Sequence, residues 1–341
     1  MPGLYGRLPI LTPMRVRSYK AFAATILKLR NGLATRTVES GELTTSAYYL
    51  LGWFLGDFGK HYRDESKLIM DIDIQLTRKH PENLDLGEYV ARCIRGFGIG
   101  CKRRPDRPSS ENLPNGAYCW ASQRHPIYVW FHIACLGLKW SERTSHDQVS
   151  MDWMLSAPQE DRLWFLRGLA DSDGDVHFQD KSVDITTSPN TGFVKALLDS
   201  LKVHSVVRFT KGYGAITIRA DQAMGIAIFN PRVNTYRRKL LEKIVDANVY
   251  PRHWPRWLSE KVDSLIGLGL SKRKICERIL NENNTYIKMH TLNKKIENRS
   301  LQIGLDHERR LSMTGRSAEG GIRTLDDREA ILPLSPESTL A

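Results

Sequence analysis

From Met70 onward, the segment Lys67-Leu68-Ile69-Met70-Asp71-Ile72-Asp73-Ile74-Gln75-Leu76-Thr77 alternates apolar and polar residues one by one. That is the period of a strand in a sheet with one wet face. Upstream the pattern differs. Leu50-Leu51-Gly52-Trp53-Phe54-Leu55-Gly56-Asp57 is apolar throughout, has Gly in its middle and stops at an acid. It predicts a buried helix, N-capped by Thr44, Thr45 or Ser46. A helix over Leu84 to Phe97, a strand near Ile99–Arg103, a loop rich in Pro, Ser and Asn from Pro105 to Gly116, a strand Ala117–Ser122 and an apolar helix Ile127–Leu138 follow. The predicted order of this unit is helix, strand, strand, helix, strand, strand, helix.

The order then recurs. Ser156-Ala157-Pro158-Gln159 has the form of a capping-box start with Pro in the first turn. It opens a second apolar helix, which contains Leu166-Arg167-Gly168-Leu169-Ala170-Asp171-Ser172-Asp173-Gly174. Strands are predicted at His177–Gln179 and Ser182–Thr187, and a helix at Gly192–Leu201. A hairpin of Val206–Thr210 and Ala215–Arg219 turns through Lys211-Gly212-Tyr213-Gly214, and helices at Gln222–Phe229 and Tyr236–Asp246 close the unit. Residues 1–44 read as a lead-in with an amphipathic helix from Tyr19 to Leu33, the two units as 45–150 and 151–248.

After Val249 the pattern becomes short and helical, with Leu258–Leu268, Lys272–Leu280 and Leu292–Asn298 as three helices of a domain over 249–300. The first two are joined by Gly267-Leu268-Gly269-Leu270-Ser271, with Ser271 as N-cap. A tight Gly-containing turn followed by a basic amphipathic helix is helix-turn-helix chemistry. Ile275, Ile279 and Leu280 should pack inward and leave Lys272, Arg273, Lys274 and Arg278 outside. The tail, 301–341, has no sustained period, holds no Lys and is expected to be disordered.

Composition sharpens this picture in three ways. With 341 residues, 41% of them hydrophobic, the chain has material for two or three packed domains. No apolar run reaches the length of a membrane span and the start is not a signal peptide, so a cytoplasmic protein with no membrane partner is expected. The five cysteines include no C-x-x-C pair, which argues against a disulfide framework and structural zinc. The net charge of +12 favours a polyanionic partner. It is concentrated in Lys102-Arg103-Arg104, Arg237-Arg238-Lys239 and Lys272-Arg273-Lys274.

The candidate chemistry lies in the two acids that end the repeated helices. Asp57 and Asp173 are about one small structural unit apart, so two close-packed helices would bring two carboxylates to one point. Taken once, an apolar helix ending in an acid is an ordinary core helix. Two copies, each followed by alternating strands, point to a divalent cation site, because like charges side by side weaken the metal-free protein.

Together these features resemble the LAGLIDADG homing endonucleases, in the single-chain form with two motif copies, across about residues 44–247. The resemblance implies an α+β fold of two pseudo-symmetric αββαββα units forming a DNA-binding saddle, with the helix-turn-helix as an all-α addition. It also implies a monomeric, metal-dependent nuclease that cuts both strands of DNA, with Mg²⁺ or Mn²⁺ held by Asp57 and Asp173. Gln75 and Arg219 correspond to further catalytic positions. Thr186 takes the place of Gln75 in the second unit, and Ser122, with Arg124 nearby, takes that of Arg219 in the first. DNA contacts are expected from Lys60, Arg63, Thr77, Arg78, Arg103, Arg104, Arg124, His177, Lys181, Thr186, Arg208, Lys211 and Tyr213, and from Lys272, Arg273 and Lys274. Phe58 stands where the family has Gly, which puts a bulky ring beside one acid. The start at Met1 and the missing splice-junction residues suggest a free-standing or intron-encoded enzyme. A transcription regulator of the same fold and a maturase that binds intron RNA are the alternatives.

Overall fold

A computed structural model describes residues 15–32, 40–64, 69–210, 213–233, 235–250, 254–299, 301 and 305. The chain divides into two compact units, Met1–Lys288 and Met289–Ala341. The first unit opens with α1 (Tyr19–Gly32) and α2 (Ser40–Leu55), followed by β1 (Gly59–Asp64), β2 (Ile69–Thr77), α3 (Asn83–Gly96), β3 (Cys101–Arg107) and β4 (Ala117–Ser122). Next come α4 (Pro126–Val129), continued by a π-helical turn over Trp130–Cys135, and the short α5 (Asp152–Leu155). The order then repeats as α6 (Gln159–Asp173), β5 (Gly174–His177), β6 (Ser182–Thr186), α7 (Thr191–Ser200), β7 (Ser205–Thr210), β8 (Tyr213–Arg219), α8 (Ala220–Gly225) and α9 (Tyr236–Asp246). The unit ends with β9 (Asn248–Val249), α10 (Arg256–Gly267), α11 (Lys272–Asn283) and β10 (Thr285–Tyr286). In the second unit the described residues, 289–299, 301 and 305, are helical.

The two four-stranded sheets have one topology, β1-β2-β4-β3 and β5-β6-β8-β7, antiparallel throughout. The fold is therefore α+β, with two copies of αββαββα. In β2 the alternation sorts the faces as expected: Met70, Ile72, Ile74 and Leu76 are buried, whereas Asp71, Asp73, Gln75 and Thr77 are not. The apolar rows pack under helices that are apolar on nearly every side. Along α6 every residue from Leu163 to Ser172 is buried, Arg167 included. Trp53 and Trp164 belong to this core, as their positions on apolar helices suggest.

Helices α2 and α6 touch backbone to backbone because each carries Gly at the crossing. A Cβ on Gly52 would stand 2.1 Å from the Phe165 carbonyl oxygen, and one on Gly168 2.0 Å from that of Tyr49. Further links join the two repeats. The Tyr49 hydroxyl donates to Asp171 Oδ2 at 2.7 Å, Lys239 meets Glu82 at 3.0 Å, and His80 stacks on Tyr236 with centroids 3.6 Å apart.

Several local expectations need correction. Helix α2 starts at Ser40, so Thr44, Thr45 and Ser46 lie inside it and cap nothing. Ser156 is not a capping-box residue: its hydroxyl donates to the Trp153 carbonyl at the end of α5, and Pro158 sits at the N-cap of α6. β5 occupies Gly174–His177, directly after the acid, and Lys181 falls in the β5–β6 turn with φ of 50°. β3 runs on to Arg107 through Pro105, with a register shift between Arg104 and Arg107 that absorbs the proline's missing donor. The apolar helix after β4 widens into a π turn, where the Leu136 amide reaches back to Phe131. Ser271 does cap α11, accepting from the Lys274 amide, and Ile275, Ile279 and Leu280 are buried. All but two residues of the tail lie outside the described residues. Among the described residues no helix is long and apolar enough to cross a membrane.

Candidate metal and nucleic-acid site

The close approach of α2 and α6 sets where their final acids lie. Asp173 is the last residue of α6, and Asp57 follows α2 after Gly56. Gly56 allows the two ends to abut, since a Cβ there would stand 2.6 Å from Asp173 Oδ2. The Asp173 carboxyl comes within hydrogen-bonding reach of Asp57. Burial first, and then the neighbouring Asp57 charge, hold Asp173 well above the usual carboxylate range; Lys60 and Arg237 pull the other way.

A lysine supplies the local positive charge. Lys60 Nζ donates to the carbonyls of Gly56 (3.0 Å) and Phe58 (3.3 Å) and to Thr144 Oγ1 (3.0 Å), and stands 5.3 Å from the Phe54 ring centroid. Burial lowers its pKa to about 8, while Asp173 and Asp57 act to raise it. Although Lys60 is on the edge strand β1, its ammonium is thus held beside the acids by the backbone at the end of α2. Phe58 turns its ring into the core, stacked on Trp53 (centroids 5.4 Å) and edge-on to Phe54. The bulky residue therefore packs instead of crowding the acids.

The donor set suits a hard divalent cation. Two carboxylates of this kind match the way Mg²⁺ is usually held, by one or two acids plus substrate phosphates and waters. Among the described residues no group of three or more His, Cys, Asp or Glu side chains gathers into a complete cage, so further ligands would come from solvent or substrate.

Counting along the strands from each acid aligns the two halves. Gly59 faces Asp73, which faces Ala121; Asp175 faces Asp184, which faces Thr217. Gln75 then corresponds to Thr186, as the sequence suggested, and both are exposed. Arg219 corresponds to Gln123 instead of Ser122, one residue off the expected match. Arg219 faces Ser182, three residues along β8 from Ile216. With a rise of about 3.3 Å per residue, that sets it roughly 10 Å from the row leading to Asp173. It occupies the N-cap position of α8 without a side-chain capping bond, and makes a two-point ion pair with Asp221. Gln75 does not stand alone, since Arg107 Nη1 donates to its Oε1 at 3.1 Å. With Asp73, Arg104 and Cys119 they line a cavity of about 150 Å³ on the outer face of the first sheet.

The alignment also exposes a repeated pair that the sequence reading missed. His61 meets Asp73 at 3.0 Å in the first half, and His177 meets Asp184 at 3.4 Å in the second. Each histidine stands four residues after its acid, a signal present in the sequence. The partner carboxylates could only be found from the register.

The other expected contacts distribute as follows. Thr77, Arg78, Arg103 and Arg104 lie on or beside the first sheet, and Asp106 draws in Arg78 (3.8 Å) and Arg103 (2.7 Å). Arg124 is exposed, 3.9 Å from Asp71. Arg208 and Tyr213 are exposed on β7 and β8. The side chain of Arg63 and the whole of Lys211 fall outside the described residues. Lys272, Arg273 and Lys274 are exposed on α11, but only Arg273 has an ion-pair partner among the described residues, Glu277 at 3.0 Å. The Arg237-Arg238-Lys239 cluster serves the fold: Arg237 donates to the Asp171 carbonyl, Arg238 pairs with Glu242 and Lys239 with Glu82.

No protein-family model matches the sequence, and no match is found among curated proteins. Solved structures do match. I-DmoI in complex with DNA and Mn overlaps 55% of this chain and 97% of its own, at 16% identity and TM-score 0.37. The homing endonuclease I-WcaI bound to its DNA recognition sequence overlaps 63% and 92%, at 13% identity and TM-score 0.39. The N-terminal LAGLIDADG domain of DUF199/WhiA overlaps 63% and 92%, at 11% identity and TM-score 0.35.

Proposed function

We propose that the protein is a site-specific DNA endonuclease that cuts both strands by metal-dependent phosphodiester hydrolysis. The observation that carries this reading is the meeting of Asp57 and Asp173 at the abutting ends of α2 and α6. Two mutually repelling acids at a helix crossing make little sense as a device for stability, and good sense as a cation seat.

Asp57 and Asp173 would hold Mg²⁺ or Mn²⁺, which when bound neutralises phosphate charge and favours attack by water. Lys60, fixed by two carbonyls and Thr144, adds a positive charge on the first-half side. Val176 is its counterpart after the second acid, so the two halves present unequal surroundings to the two strands. The outer faces of the sheets would lie along the duplex. Gln75, Thr77 and Thr186 would reach base edges, and Arg78, Arg103, Arg104, Arg124 and Arg208 would hold phosphates. The net charge of +12 supports a polyanionic partner of this size.

The test uses a plasmid library of random inserts incubated with the full chain and Mg²⁺, followed by sequencing of linear product. A defined cut site is expected, with Asp173→Asn and Asp57→Asn each lowering the rate at least a hundredfold. Specific binding without cutting in Mg²⁺ or Mn²⁺ would instead assign a DNA-binding regulator. Selective binding of structured RNA over duplex DNA would assign the maturase role.

A further inference from the structure

Among the described residues there are two four-stranded sheets but one α10–α11 pair, and that pair is fixed at the end of the second of them. The β5–β6 turn, 178–181, is the point of attachment. The Tyr286 hydroxyl donates to the Gln179 carbonyl, Lys181 Nζ sits 4.8 Å from the centre of the Tyr286 ring, and the Arg273 guanidinium lies 5.9 Å from that of Phe178. From behind, β10 pairs in parallel with β9, and Lys243 of α9 donates to Asn281 of α11 at 2.8 Å. Helix α11 is therefore joined to the second half by its first turn, by its last turn and by the strand that follows it.

The surface around this joint is basic on balance, with Asp180 and Asp221 as the acids that face Tyr286 and Lys181. Lys272 and Lys274 are exposed in the first turn of α11 and have no ion-pair partner among the described residues. Lys288 is exposed nearby, and its charge is felt by Lys181 in the turn. Lys181 and Lys288 thus lie close together where the second sheet passes into α11, and Lys272 and Lys274 stand exposed on the adjoining first turn of that helix. Elsewhere on α11 the positive charges are answered within the helix, Arg273 by Glu277 and Arg278 by Glu282.

We propose that Lys181, Lys272, Lys274 and Lys288 form a docking surface for duplex DNA lying outside the half-site covered by the second sheet, so that the footprint extends further on that side. The proposal rests on the nuclease reading only for the sheets being the central contact. Since one helix pair serves two sheets, the extension is one-sided. The contacts are to phosphates, so they add affinity and salt dependence without base preference.

All five cysteines are buried, so a cysteine introduced at the surface can be tagged selectively. An iron chelate that cleaves nearby DNA is attached to Lys274→Cys and, separately, to Glu111→Cys in the exposed β3–β4 loop of the first half, with selected target DNA carrying long flanks. The Lys274→Cys probe should cut one flank only, on the side opposite the cuts from Glu111→Cys. The Lys272→Ala/Lys274→Ala variant should lose about tenfold in affinity on long DNA and nothing on DNA trimmed of that flank. Cutting from Glu111→Cys with none from Lys274→Cys, or equal losses on long and trimmed DNA, overturns the one-sided surface and leaves the nuclease reading standing. Absence of any DNA binding by the unmodified chain overturns both.

Discussion

Asp57 and Asp173 repel each other, and the fold keeps them together by what surrounds them. Lys60 lies beside them with its ammonium tied to the end of α2, and the close pairing of the α2 and α6 backbones brings the two helix ends together. A few residues deeper, Asp171 is fully buried and held up to about 7 by that burial, with Tyr49 hydrogen-bonded to it. Both Asp171 and Asp173 are raised above their unfolded values near 3.9. For such groups the folded state holds protons that the unfolded chain has released. Their contribution is fully present below about pH 4 and is lost as pH rises through the folded values. The metal-free protein should therefore melt at a lower temperature at pH 8 than at pH 5.5, by thermal denaturation in a chelator. Asp173→Asn should reduce that difference, and Mg²⁺ should raise the melting temperature more at pH 8 than at pH 5.5. A melting temperature unaffected by pH and Mg²⁺ would count against the strained pair. Of this site, the acids were legible in the sequence because each ends a recognisable repeated helix. Thr144, Asp73 and Asp184 were not, since each reaches its partner through tertiary contact that no spacing along the chain records.

At the scale of elements, the glycines at the crossing decide the packing. Gly52 and Gly168 have carbonyl oxygens 2.1 and 2.0 Å from where a Cβ would stand, so neither tolerates a side chain unless the helices move apart. Gly52→Ala should destabilise the protein by about 2–4 kcal/mol, as overpacking at a rigid contact does. Gly96→Ala, near the end of α3 with nothing within 4 Å, should be neutral or slightly stabilising. Chemical denaturation of the two variants checks this; equal effects would mean the crossing is looser than it looks. β4 and α9 fall on their expected residues because their patterns are bounded by turn residues on both sides. β1 was not located, since Lys60-His61-Tyr62-Arg63 lacks alternation and all three of its described side chains are half-buried. The capping box at Ser156 failed for a different reason: α5 ends there and takes the serine hydroxyl for its own carbonyl.

For the whole molecule, the two halves share a topology and differ in their charges. The first sheet carries Arg103, Arg104 and Arg107 on its β3 strand, whereas β7 of the second shows exposed Val206 and Phe209 around Arg208. Lysines that answer this difference lie beyond the second sheet, at the β5–β6 turn and on α11. A basic surface of this extent predicts a steep fall of DNA affinity with salt, a loss of at least a hundredfold between 50 and 200 mM. Binding titrations across that range would measure it, and an affinity flat with salt would remove the phosphate-gripping role.

The most direct measurement is anomalous diffraction from a crystal of the protein with its selected DNA in Mn²⁺. An anomalous peak within about 2.2 Å of carboxylate oxygens from both Asp57 and Asp173 is the expected result. Manganese bound elsewhere, or the two acids drawn apart with a protein cation between them, would contradict the account.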